Sequence, residues 1–130
     1  MAPTFNFVGM VVSDMPASLS FYRRLGLDIP ADADTQPHVH IELASGMLLA
    51  WDTVETILSF DPNWQQPTGL GRVSMAFGCD NPAEVDKLFA ELVAAGHRGH
   101  REPFDAFWQQ RYATVLDPDG NAVDLYAPLT

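Results

Sequence analysis

Apolar and polar positions along the chain switch between the period of a strand and that of a helix. Phe5–Val12 is an apolar run with β-branched residues, too short for a typical helix, and predicts a strand. Asp14 and Pro16 mark a stop and a helix start, with Asp14 as N-cap; Leu19, Tyr22 and Leu25 recur every third residue, and Gly26 closes the helix. Leu27–Ile29 is expected as a short strand and Asp32–Pro37 as polar loop. His38–Leu43 then alternates, with His38, His40 and Glu42 on one face and Val39, Ile41 and Leu43 on the other, the pattern of a half-buried strand. Met47–Trp51 is the returning strand after a turn at Gly46. A three-residue loop with left-handed Gly46 aligns Leu49 and Trp51 with the apolar face, and sets His40 opposite Ala50 and His38 opposite Asp52. A two-residue loop would instead place histidines beside Leu49 and Trp51, so the first register is preferred.

Thr53–Gly71 is a long connection carrying Pro62, Pro67, Gly69 and Gly71, with a short helix expected at Val54–Phe60. The pattern then repeats. Arg72–Cys79 reads as a strand. Asn81-Pro82 opens a helix whose stripe is Val85, Leu88, Phe89, Leu92 and Val93, and Gly96 stops it. Gly99–Glu102 reads as a short strand, Tyr112–Leu116 as a longer one, Asp117-Pro118-Asp119-Gly120 as a turn and Ala122–Tyr126 as the last strand. Strand, helix and three strands are thus written twice, as in an internal duplication.

The chain has 130 residues, 47% hydrophobic and 18% charged, which fits one domain or two small halves and excludes a disordered chain. Its apolar runs are too short to span a bilayer, and its first residues show no basic-then-apolar leader. With Cys79 as the single cysteine there is no internal disulfide, and a cytoplasmic location is expected. The net charge of −10 and the absence of a basic stripe speak against nucleic acid and favour cations, basic small molecules included.

Two segments carry a family resemblance: Val11-Val12-Ser13-Asp14 with Ser18, Phe21-Tyr22 and Leu25-Gly26-Leu27, and Asp117-Pro118-Asp119-Gly120-Asn121 with Val123-Asp124-Leu125. Together they resemble the vicinal oxygen chelate superfamily of glyoxalase I, extradiol dioxygenases and bleomycin-resistance proteins. The resemblance implies an α+β fold of two βαβββ modules, about 5–52 and 72–128 around the connection 53–71. They would form a cupped mixed sheet with helices on the convex side and the ligand on the concave side. It also implies a homodimer and, in the enzymes, a divalent metal held by His and Glu on the first and fourth strands of each module. Those positions fall here on Phe7, Ala50, Ser74 (Val73 if the register slips) and Asp124, of which only Asp124 is a good donor. The expectation is therefore no metal and no other cofactor.

Alternation then predicts what lines the cup: Phe7, Gly9 and Val11; Leu48, Ala50 and Asp52; Ser74, Ala76 and Gly78; Ala122, Asp124 and Tyr126. Many are small, which leaves room for a ligand or, alternatively, allows close sheet packing. Phe77, Phe89 and Trp51 read as core. Trp64, Phe104, Phe107 and Trp108 are expected in loops, where they either stack on a planar ligand or anchor a loop. Asp124 either attracts a cationic group or is satisfied by neighbouring donors. His38 and His40, with Glu42 on the same face, read as a metal site, a general base, a ligand contact or a solvated strand face; His97 and His100 read as surface. Cys79, beside Asp80, reads as a small buried hydrophobe, not a nucleophile. No P-loop or dinucleotide fingerprint occurs.

The expected ligand-binding residues are Phe7, His40, Ala50, Asp52, Ser74, Trp108, Tyr112 and Asp124, with no catalytic or metal-binding residue. The expected activity is sequestration of a partly aromatic small molecule, basic ones included, as in the bleomycin-resistance branch. The alternatives are a metal-dependent lyase, isomerase or dioxygenase, which would need Asp124 with His38 or His40, and a dimerisation module that binds nothing.

Overall fold

Asp14 fixes the start of the first helix: its side chain accepts the Ala17 N–H at 3.0 Å, and Pro16 occupies the first turn, where no donor is needed. The computed structural model describes residues 2–130. They form an α+β protein of seven strands, three α-helices and a 3-10 turn, in two units, Met1–Gln66 and Pro67–Thr130. No described helix is long and apolar enough to cross a membrane.

In the first unit, β1 (Phe7–Val12) pairs in parallel with β3 (Leu48–Thr53), which pairs antiparallel with β2 (His38–Glu42). Helix α1 (Met15–Arg24) buries Leu19, Phe21 and Tyr22 completely, and the Tyr22 ring meets Trp51 edge-on at 5.6 Å. Burying a side chain of this size stabilises by about 1.5–3 kcal/mol. Val39, Leu49 and Trp51 therefore face the core, as the alternation of β2 and β3 predicts. Ala44-Ser45-Gly46 closes the hairpin as a three-residue loop: Leu43 N–H donates to the Met47 carbonyl at 2.7 Å, and Gly46 has φ +90°. The resulting register pairs His38 with Asp52 and His40 with Ala50, as expected. Helix α2 (Val54–Phe60) follows β3 directly.

The first unit departs from the expected module at Leu27–Ile29, which forms no strand, so its order is βαββ. Arg23 explains the difference. Its Nε and Nη2 donate to the carbonyls of Ile29 (3.1 Å) and Pro30 (2.6 Å), acceptors a ladder would need, and its Nη1 pairs with Asp34 at 2.9 Å. Asp34 belongs to the 3-10 turn Ala31–Thr35, in place of the expected loop.

In the second unit the sheet order is β4 (Met75–Gly78), β7 (Ala122–Pro128), β6 (Gln110–Leu116) and β5 (Arg98–Ala106). Helix α3 (Pro82–Ala94), capped by Asn81, packs on β5, β6 and β7, with Val85 and Leu92 buried against an apolar face that includes Val115, Val123 and Leu125. Here the full βαβββ order is present. β4 is shorter than the expected Arg72–Cys79, β5 is longer and includes Phe104, and Phe77 and Phe89 are half-buried.

Gly99 lies under α3, where a Cβ would sit 2.7 Å from Phe89 Cζ and 3.3 Å from Val93 Cγ2. Gly99→Ala should therefore destabilise the protein by about 1–3 kcal/mol through overpacking. Adding Phe89→Leu, which removes the closest atoms, should recover part of that loss in chemical denaturation. An unaltered midpoint for Gly99→Ala would show that the helix shifts at no cost.

Candidate functional site

The sheet face of the second unit that turns away from α3 is built around one carboxylate. Alternation puts Ala122, Asp124 and Tyr126 of β7 on that face, and the register sets Thr114 opposite Asp124 and Tyr112 opposite Tyr126. On the other side Ala76 pairs with Asp124 and Gly78 with Tyr126. Small residues leave the neighbourhood open: a Cβ at Gly78 would touch the Tyr126 ring at 3.4 Å.

Asp124 is only 8% exposed. Its Oδ1 accepts from Thr114 Oγ1 at 2.8 Å, and its Oδ2 accepts from Tyr112 Oη at 2.5 Å and from Ser74 Oγ at 3.3 Å. Three hydroxyls thus solvate a buried carboxylate in place of water. Burial, then the hydrogen bond to Asp124, pushes the Tyr112 phenol up to about 12, so the tyrosine stays neutral. With its proton committed to Asp124, the Tyr112 oxygen keeps lone pairs that can accept a hydrogen bond from a ligand.

Beside this group stands a ladder of rings. Trp108 meets Phe107 at 5.0 Å, Tyr112 at 5.4 Å and Phe104 at 6.3 Å between centroids, all near-perpendicular. Phe104 also meets Tyr112, at 6.2 Å. Trp108 is held by an Nε1–H bond to Gln110 Oε1 at 2.8 Å, yet remains 45% exposed, and Phe107 is 89% exposed. Gln109, at φ +67°, makes the tight turn that carries the two rings. Phe104 reaches the cluster from strand β5, not from a loop as expected, because it pairs across the ladder with Tyr112.

Ser74, Tyr112, Asp124 and Trp108 are thus brought together in the second unit. Thr114 belongs with them and was not among the expected residues. Its signal lay in the alternation of β6, two positions from Tyr112 on the same face. In the first unit, Phe7 pairs with Leu48, Gly9 with Ala50 and Val11 with Asp52, so the expected face is formed. His40 lies across from Ala50, and Asp52 Oδ1 is 2.5 Å from His38 Nδ1. Phe7 is exposed and Ala50 buried. Among the described residues no group of three or more His, Cys, Asp or Glu is placed to hold a metal ion. Burial first, then Glu84 and Asp80, pushes the Cys79 thiol up, away from nucleophilic use.

The raised Tyr112 pKa has a defined consequence for stability. The neutral phenol favours the fold fully below pH 10, the ordinary tyrosine value, and that contribution is lost as the pH rises through about 12. Tyr112→Phe should flatten the stability loss between those values. Asp124→Asn should bring the Tyr112 ionisation, followed by ultraviolet absorbance, down towards the ordinary value and cost about 1–3 kcal/mol. A Tyr112 titration unmoved by Asp124→Asn would contradict the hydrogen bond.

A family model described as the Glyoxalase/Bleomycin resistance protein/Dioxygenase superfamily matches residues 4–125. No curated protein matches by sequence. Among solved structures, a family enzyme from Burkholderia phytofirmans PsJN is similar at TM-score 0.83 and 19% identity, covering 98% of this chain and 100% of that one. A glyoxalase-related enzyme from Fulvimarina pelagi is similar at TM-score 0.80 and 21% identity over 97% and 88% of the two chains. A glyoxalase/bleomycin resistance protein/dioxygenase from Nocardioides is similar at TM-score 0.76 and 25% identity over 99% and 85%.

Proposed function

The chain belongs to the glyoxalase/bleomycin resistance protein/dioxygenase superfamily, and from that premise we propose that it binds a small, partly aromatic molecule without a metal ion. The observation that carries this reading is the pairing of the exposed Phe107–Trp108 ring ladder with the Asp124–Tyr112 hydrogen bond on one sheet face. A planar ligand stacks on the rings, and its N–H or ammonium group donates to the Tyr112 oxygen. The charge of Asp124 and the aromatic faces both favour a cation over an anion, against the opposing charge of Arg101, which pairs with Thr114 across the ladder. Turnover is not part of the proposal: the ligand is held, as in resistance by sequestration.

The donor set supports the absence of a metal. The positions at which enzymes of the superfamily hold a divalent ion carry Phe7 and Ala50 in one unit and Ser74 and Asp124 in the other. Phe7 and Ala50 offer no donor, and the Asp124 oxygens are occupied by three hydroxyls. A divalent site normally takes three or more His, Asp, Glu or Cys ligands. These residues do not fit the metal, so no lyase or dioxygenase step is assigned through one. As part of the same reading the protein acts in the cytoplasm and pairs with a second copy of itself; light scattering should give twice the 14.3 kDa chain mass.

The test is a thermal-shift screen of aromatic amines against aromatic carboxylates of matched size. Amines should raise Tm and quench tryptophan fluorescence, and carboxylates should not. Trp108→Ala should weaken amine binding by about ten-fold or more, the loss expected of a stacked anchor. Because Trp108 is half-exposed, the unliganded Tm should move little. Equal binding of carboxylates, or full affinity in Trp108→Ala, would overturn the proposal.

A further inference from the structure

The first unit carries a second chemical group that the proposed binding site does not use. His38 and His40 alternate onto one face of β2, and Asp52 faces His38 from β3. Asp52 Oδ1 lies 2.5 Å from His38 Nδ1, and His38 Nε2 lies 2.9 Å from His40 Nδ1. Asp52 is more enclosed than its partner, with its side chain 19% exposed against 42% for His38. The two histidines border an open surface groove of about 330 Å³, lined also by Pro30, Asp32, Ala33 and Gln36.

With His38 neutral, these contacts assign the protons. An ionised carboxylate only accepts, so the proton of the first bond is on His38 Nδ1. A neutral His38 then has an acceptor at Nε2, and the second bond requires the proton on His40 Nδ1. His40 Nε2 is left with a lone pair and no hydrogen-bond partner among the described residues.

We propose that Asp52, His38 and His40 form a metal-independent proton-accepting site, with His40 Nε2 as general base towards a small neutral or cationic molecule. A hydroxyl proton, or a C–H proton next to a carbonyl, moves to His40 Nε2, and the bonding pair stays on the substrate as an oxyanion or enolate. The His40 Nδ1 proton moves to His38 Nε2. His38 becomes the imidazolium beside Asp52, which neutralises it, and His40 is again neutral with its proton on Nε2. Return of the proton at the same or a neighbouring atom closes the cycle, so charge and atoms balance without a co-reactant. His40 is the catalytic residue; His38 and Asp52 are positioning residues that set its tautomer. Asp32 in the groove disfavours anionic substrates. The site uses only first-unit side chains, so it stands or falls separately from the ligand face around Asp124.

Two readouts on the full chain test it. Carbethoxylation by diethyl pyrocarbonate, which attacks an unprotonated ring nitrogen, is followed at each histidine by peptide mass spectrometry. His40 should react several-fold faster than exposed His100, and Asp52→Asn or His38→Gln should bring it to the His100 rate. In deuterated water the protein should exchange the α-protons of hydroxyacetone, a neutral α-hydroxy ketone, on the order of 100-fold faster than His40→Gln does. A His40 that reacts no faster than His100, or whose rate ignores Asp52→Asn, would reduce the group to a solvated strand face. Loss of only the exchange difference would overturn the catalytic role.

Discussion

A carboxylate removed from water must be given donors or it destabilises the fold, and Asp124 receives them from hydroxyls, not from a cation. Thr114 and Tyr112 reach it only if β6 and β7 hold one register, and Ser74 only if the chain enters β4 beside β7. A slip of one residue would turn Asp124 towards α3 and turn Val123 and Leu125 out of the core. The same hydrogen bonds that satisfy Asp124 thus hold the apolar face under α3 and hold Tyr112 beside the Trp108 ladder. The satisfaction of Asp124 and the placing of Tyr112 come from one arrangement.

The two units present related sheets with different chemistry. Both have a parallel pair of edge and inner strands and a helix over the apolar face. On the opposite face, the second unit carries hydroxyls, a carboxylate and rings, whereas the first carries two imidazoles and Asp52. Superfamily membership fixes the scaffold, and the side chains grafted on it decide the activity. Phe7 and Ala50, at two of the expected metal positions, offer no donor side chain, and the proposed metal-free binding rests on that.

Much of this was legible from residue patterns, and the failures have physical causes. Gly46 with strict alternation in His38–Leu43 was enough to set the β2–β3 register, because only one loop length separates the faces. The helix over Val54–Phe60 and the Asp117–Gly120 turn followed from local signals; Asp117 Oδ1 accepts from Asp119 and Asn121 N–H groups at 3.0 and 2.9 Å. Leu27–Ile29 was misread because Arg23, distant in pattern but close in space, takes the carbonyls nearby. Only Gly99–Glu102 carries a strand signal, which leaves Phe104 in a loop by pattern, whereas the ladder with β6 extends the strand past Pro103. Alternation puts Thr114 on the Tyr112 face, but a threonine on a strand points to no chemistry until its partner is known. The closure of three hydroxyls on Asp124 depends on tertiary register, which local pattern does not encode.

The central claim is that this member of the superfamily recognises its ligand without a metal. The direct measurement is metal content: purified untagged protein is offered zinc, nickel, manganese and ferrous iron, dialysed, and analysed for metal per chain. The account predicts a ratio near zero for all four ions. A ratio near one that falls with Asp124→Asn would contradict it, because the Asp124 oxygens would then be ligands and not the acceptors of three hydroxyls.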